Sequence, residues 1–339
     1  MPTHLVQISD GTRVQVAVVD EPWLRVLSNW RSTYELAQSC VDSGRTLEEY
    51  VRLSPLGEAI SYDEVYSGRS RWRLTAPIHV PDAPSRVLIS GTGLTHLGSA
   101  RQRQAMHAGD GIKERQEATT DSMRMFQWGV ENGRPPEGTI GIAPEWFYKG
   151  DGSSLRGPFE PLDIPDHAED GGEEAELAGV YIIAFDGEPY RIGIAQGNEF
   201  SDHKFEKRNY LNLAGSKLRT CGLGPELIVG ALFADISGRV SIGRGGASIW
   251  QRDIVSGEQN MCHSLANLEH HHFKFAGHRQ PGSVHVHFYG ADTLSFGDGV
   301  VLEDGDVMEV HFEGFGRALR NPVRTEAQSG RQWRARSLA

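Results

Sequence analysis

Between residues 3 and 27 apolar side chains recur at alternate positions, with Val14, Val16 and Val18 separated by polar or smaller residues. A period of two marks strands, so this segment is read as β-structure. From 31 to 56 the chain reads instead as two short helices. The first covers Thr33 to Cys40. The second opens at Thr46, with Glu49 three residues on as a capping box, and runs over Leu47 to Leu53 until Pro55 and Gly57 end it. The Pro77, Pro81 and Pro84 stretch then marks a boundary, which predicts a small α/β N-terminal domain over residues 1–80 and a larger domain over 81–339.

A strand over Arg86 to Ser90 leads into Gly91-Thr92-Gly93-Leu94-Thr95-His96 and a polar segment with helical character at 101–106 and 115–130. The Gly-x-Gly lacks the third glycine and the acidic residue of a dinucleotide site, so it is read as a tight turn. From residue 139 onward short strand candidates recur between Gly, Pro and Asp turns: 180–185, 190–194, 226–233, 240–242, 284–289 and 307–313. Such spacing predicts a β-rich sheet or barrel and an α+β chain. Asp304-Gly305-Asp306 lacks the spaced carboxylates of a calcium loop and is read as a β-turn.

A length of 339 residues exceeds what one core usually fills, in keeping with two domains. The formal net charge of −11 and the absence of a basic stripe argue against nucleic-acid and anionic-membrane partners. No run of about 18 apolar residues occurs. Met1-Pro2-Thr3-His4-Leu5 does not begin a charged-then-apolar leader, so cytoplasmic residence is the expectation. Cys40, Cys221 and Cys262 are too scattered for disulfides or a CxxC site and are read as reduced thiols; no histidine at a recognisable spacing activates Cys221.

The chemistry concentrates in the acidic, strand-like run Glu173 to Val180. Residues two apart on a strand share a face, so Glu174 and Glu176 deliver two hard oxygen ligands to one point, and Glu199 supplies a third. Three carboxylates suffice to hold a Mg²⁺-type ion while leaving positions for water and substrate.

These residues sit within a longer series. Phe147-Tyr148-Lys149, Ser153-Ser154-Leu155, Pro165, Glu174-Ala175-Glu176-Leu177-Ala178, Asn198-Glu199-Phe200-Ser201, Ser216-Lys217, Gly224-Pro225 and Gly316-Arg317-Ala318-Leu319-Arg320-Asn321-Pro322-Val323 follow in order. Over about residues 77–325 this series resembles the fumarylacetoacetate hydrolase superfamily. The resemblance implies a mixed β-roll or barrel in the larger domain, a Mg²⁺ or Mn²⁺ ion, chemistry on 2-oxo acids and a homodimer. It makes Glu174, Glu176 and Glu199 the metal ligands, with Glu199 standing where many members carry Asp. Lys217 matches the lysine beside the substrate, where a cation stabilises an enolate or binds a carboxylate. Ser201, Asp202, Tyr289 and Asp292 fall where substrate contacts are expected.

Two departures shape the functional expectation. Hydrolytic members place a water-activating His, followed three residues later by Glu, after the strand entering the larger domain. Here the run is Leu94-Thr95-His96-Leu97-Gly98-Ser99-Ala100-Arg101-Gln102, with Ser99 near that position, no Glu after it, and His96 as the candidate acid or base. The usual Gly-Thr turn near the C-terminus reads Gly290-Ala291-Asp292-Thr293. The whole resembles the sugar-acid dehydratase branch. That implies a hydro-lyase acting on a 2-keto-3-deoxy sugar acid, with 2-dehydro-3-deoxy-L-arabinonate going to 2-oxoglutarate semialdehyde. The other classes considered are a metal-dependent C–C hydrolase of acylpyruvates or diketo acids, and a non-catalytic sugar-acid binder. Finally, Glu269-His270-His271-His272 with His263, His278, His285 and His287 suggests zinc, yet three consecutive histidines cannot aim at one ion, and a structural or interface role is preferred.

Overall fold

The computed structural model describes residues 2–107 and 120–338. The expected helix over 115–130 begins, within the described residues, at Asp121; residues 115–119 lie outside them.

Alternation produces the expected N-terminal strands β1 (Thr3–Ser9), β2 (Val14–Asp20) and β3 (Trp23–Leu27). Helix α1 (Thr33–Ser43) is capped by Ser32, whose side chain accepts from the Glu35 N–H, and stops at Gly44 in the left-handed conformation. Helix α2 (Leu47–Leu53) carries the reciprocal Thr46–Glu49 capping box. Strand β4 (Leu56–Ser61), helix α3 (Tyr62–Tyr66) and the short β5 (Arg73–Leu74) complete this region.

The chain continues through β6 (Val87–Gly91), α4 (Leu97–His107), α5 (Asp121–Asn132), β7 (Phe147–Asp151), β8 (Leu155–Arg156) and β9 (Leu162–Ile164). Then come β10 (Ala175–Ile183), β11 (Pro189–Asn198), α6 (His203–Arg208), α7 (Leu213–Ser216), β12 (Cys221–Leu223) and β13 (Leu227–Val229). The last part holds β14 (Ile236–Arg244), β15 (Ala247–Ser256), α8 (Leu265–Phe273), β16 (Val284–Phe288), β17 (Val307–Phe312) and β18 (Leu319–Thr325).

Thirteen strands form one sheet whose main path runs β4-β3-β2-β1-β13-β11-β10-β16-β6-β7, and five form a second, β15-β14-β17-β18-β9. The architecture is α+β and strand-rich as expected, but neither sheet closes into a barrel: the paths end on β4 and β7, and on β15 and β9. Strand β1 pairs with β13 at Thr3↔Val229 and Leu5↔Leu227, so the N-terminal strands extend the sheet that carries the acidic run.

Strand β10 is buried along its whole length because both of its faces are covered. One face, with Ala175 and Leu177, packs on Val240, Ile242, Val310 and Phe312 of the second sheet. The other, with Ala178, Val180 and Ile182, shares a cluster with Leu36 and Ala37 of α1. The run at 173–180 and the strand candidate at 180–185 thus meet in one strand, Ala175–Ile183, with Glu173 and Glu174 just before it.

Strand β15 escaped the sequence reading. Its pattern is mostly exposed, so no apolar alternation announces it. The available signal was Gly245-Gly246, a two-residue link between β14 and β15 with φ of 58° and 85° that suits the tight turn a hairpin requires. Neither glycine has atoms within 4 Å of where a Cβ would stand, so only the backbone demands glycine there. Gly246→Ala should therefore lower stability by about 1 kcal/mol, read as an earlier urea midpoint at unchanged m-value, without altering the acidic centre.

Candidate metal centre

The hairpin of β10 and β11 builds the centre. Ala175 pairs with Asn198 and Glu176 with Gly197, and the Glu199 N–H donates to the Glu174 carbonyl at 2.9 Å. This register sets Glu199 beside Glu174, with Glu174 and Glu176 on a shared face. All three side chains are buried, and each offers an oxygen within 4.8 Å of the others. Among the described residues no other group of three His, Cys, Asp or Glu side chains meets that spacing.

Lys217, fully buried, joins them. Its Nζ donates to Glu174 Oε1 and to Glu199 Oε2, both at 2.5 Å, and to Ser201 Oγ at 2.9 Å. The ammonium also sits 4.6 Å from the Phe147 ring centroid. Burial works against that charge, yet Glu174 and Glu199 hold the lysine well above its usual range, so it remains a cation and does not serve as a base.

Several functional neighbours were not assigned from sequence. Lys149, also fully buried, pairs with Glu199 Oε1 at 2.8 Å and donates to the carbonyls of Phe200 and Lys217. Burial lowers its pKa, opposed chiefly by Glu199. His203 Nε2 lies 3.0 Å from Glu174 Oε1. Arg103 on α4 binds both oxygens of Glu145 and, through Nε at 2.9 Å, Glu206 of α6; the Tyr210 hydroxyl donates to Glu145 as well. Lys149 was visible in the Phe-Tyr-Lys motif, whereas nothing in the spacing of Arg103, Glu145 and Glu206 announces their meeting across three elements.

The electrostatics favour an added cation. Glu145, Glu173, Glu174, Glu176, Glu199 and Glu206 are buried here against Arg103, Lys149 and Lys217, while the nearby Asp202–Arg219 pair is balanced. Burial would raise Glu174, but the Lys217 charge and the His203 hydrogen bond hold it well below the usual carboxylate range. Glu176 has no cation at contact and receives the Gly290 N–H at 2.7 Å; burial, then Glu199 and Glu174, push it well above. Burial and Glu174 likewise push Glu199 up, against Lys149 and Lys217. Hard oxygen donors carrying excess negative charge fit a Mg²⁺- or Mn²⁺-type ion, which would offset most of the imbalance.

Of the other expected site residues, Ser201 belongs to this network, donating to Glu199 Oε2 at 3.2 Å. Asp202 caps α6 and pairs with Arg219 at 3.0 Å. Tyr289 packs with Ala175 and Leu177, the positions alternating with Glu174 and Glu176, and its hydroxyl meets that of Tyr181 at 2.6 Å. Asp292 accepts from the Val255 N–H at 3.2 Å beside the start of α4. The side chains of Asp202, Tyr289 and Asp292 therefore stand outside the carboxylate network. His96 is buried next to Thr95, whose hydroxyl contacts both His96 Nδ1 and the Tyr289 carbonyl, while Nε2 has no partner among the described residues. Burial pulls His96 down to about 4, leaving the ring neutral near pH 7.

The histidine-rich segment is a stack of rings. His272 lies 4.5 Å from His287 and 4.9 Å from His285, bonds His285 at 2.8 Å, and accepts from the Trp146 indole. His287 is held between Ser90 and Thr92. Burial forces His285 and His287 down to about 3 and His272 lower still. The three cysteines are buried thiols pushed up to about 12, which disfavours the thiolate a nucleophile needs.

No family model matches the chain, and no curated protein matches its sequence. Solved structures do. A 2-keto-3-deoxyarabinonate dehydratase superposes with a TM-score of 0.71 at 16% identity, covering 96% of this chain and 99% of that one. A 2-keto-3-deoxy-D-arabinonate dehydratase complexed with magnesium and 2,5-dioxopentanoate gives 0.70 at 16% identity, covering 95% and 99%. A fumarylacetoacetate hydrolase from psychrophilic Exiguobacterium antarcticum gives 0.58 at 17% identity, covering 96% and 100%. The chain has the fold of these fumarylacetoacetate hydrolase-type enzymes.

Two outcomes test this account. Glu176→Gln puts a neutral amide where a buried carboxyl is disfavoured as an anion and has no cation at contact, so the metal-free variant should be at least as stable as the parent. It should also lose the thermal stabilisation by Mn²⁺, about 2.7 kcal/mol at a hundred times the parent's Kd; a retained Tm shift would place the ion elsewhere. For the histidine stack, folded pKa values lie below the unfolded value, so its contribution is full above about pH 6.5 and is lost as pH falls toward 3. Each ring contributes a slope of up to about 1.4 kcal/mol per pH unit. His287→Gln should flatten the acid limb of stability against pH by one such share, measured by urea unfolding between pH 7 and pH 4.

Proposed function

We propose that this protein is a divalent-metal-dependent hydro-lyase that removes water from a 2-keto-3-deoxy sugar acid. A 2-dehydro-3-deoxypentonate such as the L-arabinonate, yielding 2-oxoglutarate semialdehyde, is the substrate that fits best. The observation carrying this reading is the buried trio Glu174, Glu176 and Glu199 with Lys217 bridging two of its members. Full-length superposition on a dehydratase that binds magnesium supports it.

Glu174, Glu176 and Glu199 would hold the ion. When bound, it supplies Lewis acidity toward the carboxylate and 2-oxo oxygen of a substrate. The chain's own residues do the rest. Loss of water from such an acid takes a proton from C3 and the hydroxyl from C4, leaving an unsaturated 2-oxo acid that tautomerises to the semialdehyde. Negative charge develops on the 2-oxo oxygen as the C3 proton leaves, and the Lys217 ammonium, held protonated by its carboxylate neighbours, is suited to stabilise it.

Proton transfer needs a group with a free site. His96 offers one at Nε2: the ring is neutral with its N–H at Nδ1 toward Thr95, which leaves Nε2 as a lone pair able to accept a proton. Glu145, a buried carboxylate outside the proposed ligand set, has both oxygens taken by Arg103 and Tyr210, so His96 is the better candidate. Along α4 the positions that would supply a hydrolase's water-activating pair hold no such pair; Arg103, on the same helix, is committed to Glu145 and Glu206. That favours elimination over attack by water.

The test is Mg²⁺- or Mn²⁺-dependent turnover of 2-dehydro-3-deoxy-L-arabinonate with identification of the product, run beside an acylpyruvate. Semialdehyde formation that falls by 10²- to 10³-fold in a Glu174→Gln, Glu176→Gln double variant is the expected result, the scale set by losing a principal electrostatic stabiliser. Pyruvate released from the acylpyruvate alone would replace this reading with a C–C hydrolase. Ligand binding without turnover of either would leave a sugar-acid binder.

A further inference from the structure

His203 stands in an unusual position for a residue with no part in the proposed chemistry. It is the first residue of α6, 1% exposed, and its Nε2 lies 3.0 Å from Glu174 Oε1. Lys217 occupies the same oxygen at 2.5 Å. With the Lys217 ammonium paired to it, Glu174 Oε1 is an acceptor, so His203 Nε2 is the donor of this hydrogen bond. Glu174 Oε2 takes no hydrogen bond from the described residues, which leaves it as the oxygen available to an ion.

The ring has little room to turn. A Cβ on Gly172 would fall 2.2 Å from His203 Nδ1 and 2.6 Å from Cε1, so the imidazole rests directly on glycine backbone. That backbone is itself fixed, since Gly172 and Ser201 exchange hydrogen bonds at 2.9 and 3.0 Å. Phe296 flanks the ring at a centroid distance of 5.3 Å. The helix start is anchored as well: Asp202 accepts from the Phe205 N–H and pairs with Arg219.

We propose that His203 is a positioning residue that pins one oxygen of Glu174 and so turns the other toward the ion, with Gly172 and Asp202 fixing the imidazole for that task. The inference rests on the metal-centre reading above. Histidine and carboxylate partners that orient a ligand set its affinity even without touching the metal, and losing one typically weakens binding 10–100-fold. Asp202 thereby gains a part in the centre, two steps removed from any ion.

Calorimetric titration with Mn²⁺ alone, on the full chain, separates the alternatives. His203→Leu keeps an apolar filler of similar bulk and should bind Mn²⁺ about 10–100-fold more weakly. His203→Gln places an amide donor close to where Nε2 stands and should recover to within about threefold of the parent. Gly172→Ala leaves His203 in place but displaces its ring, and should weaken binding by the same route while far-UV circular dichroism stays unchanged. Parent-like affinity in His203→Leu, or a Gln variant as weak as Leu, overturns the positioning role and leaves the metal centre standing. A parent protein that binds no Mn²⁺ overturns both.

Discussion

A carboxylate gives up most of its hydration when it is buried, and several buried together repel one another in a medium that screens poorly. Six such groups gather around the β10–β11 hairpin, and the rest of the site can be understood as a response to that load. Each cation there is placed against at least one of them. Lys217 bridges Glu174 and Glu199, Lys149 takes the other oxygen of Glu199, and Arg103 joins Glu145 to Glu206. Of the trio, Glu176 alone has only a backbone N–H at contact, an asymmetry that would leave its oxygens open to a hard cation. Two fully covered faces of β10 keep the arrangement rigid, because neither the second sheet nor α1 can yield without opening a core cluster.

How much of this could be read from the sequence depends on how local each feature is. The Thr46–Glu49 capping box and the Val14–Val16–Val18 alternation act within one element and appear where expected. The Glu174–Glu176 pair was legible because a strand's period of two converts a spacing into a shared face, and the antiparallel hairpin then delivers Glu199. Strand β15 was not, since most of its side chains face solvent and its apolar positions do not alternate. Strand spacing left a sheet and a barrel both open, because spacing says nothing about whether the outer strands find each other, and here they do not.

Residues whose role depends on distant partners were the hardest to find. Arg103 and His203 look like ordinary helix residues until tertiary structure buries them against carboxylates far along the chain. Tyr289 shows the opposite case. It lies one residue before Gly290, whose N–H reaches Glu176, yet the backbone directs its ring into the core shared with Ala175 and Leu177. Adjacency in sequence placed it near the centre, and a single step along the backbone sent its side chain away.

The pairing of β1 has a consequence for how the chain is made. One edge of β1 meets β2, which follows at once. The other edge is shared: Ile8 and Ser9 meet β5 at Leu74 and Arg73, whereas Thr3 to Leu5 meet β13 at Leu227 to Val229. During synthesis from the N-terminus, the first half of that edge must therefore wait, its backbone donors and acceptors open to water or to a neighbouring nascent chain, until residue 229 has left the ribosome. β1 emerges long before the strand that seals its second edge.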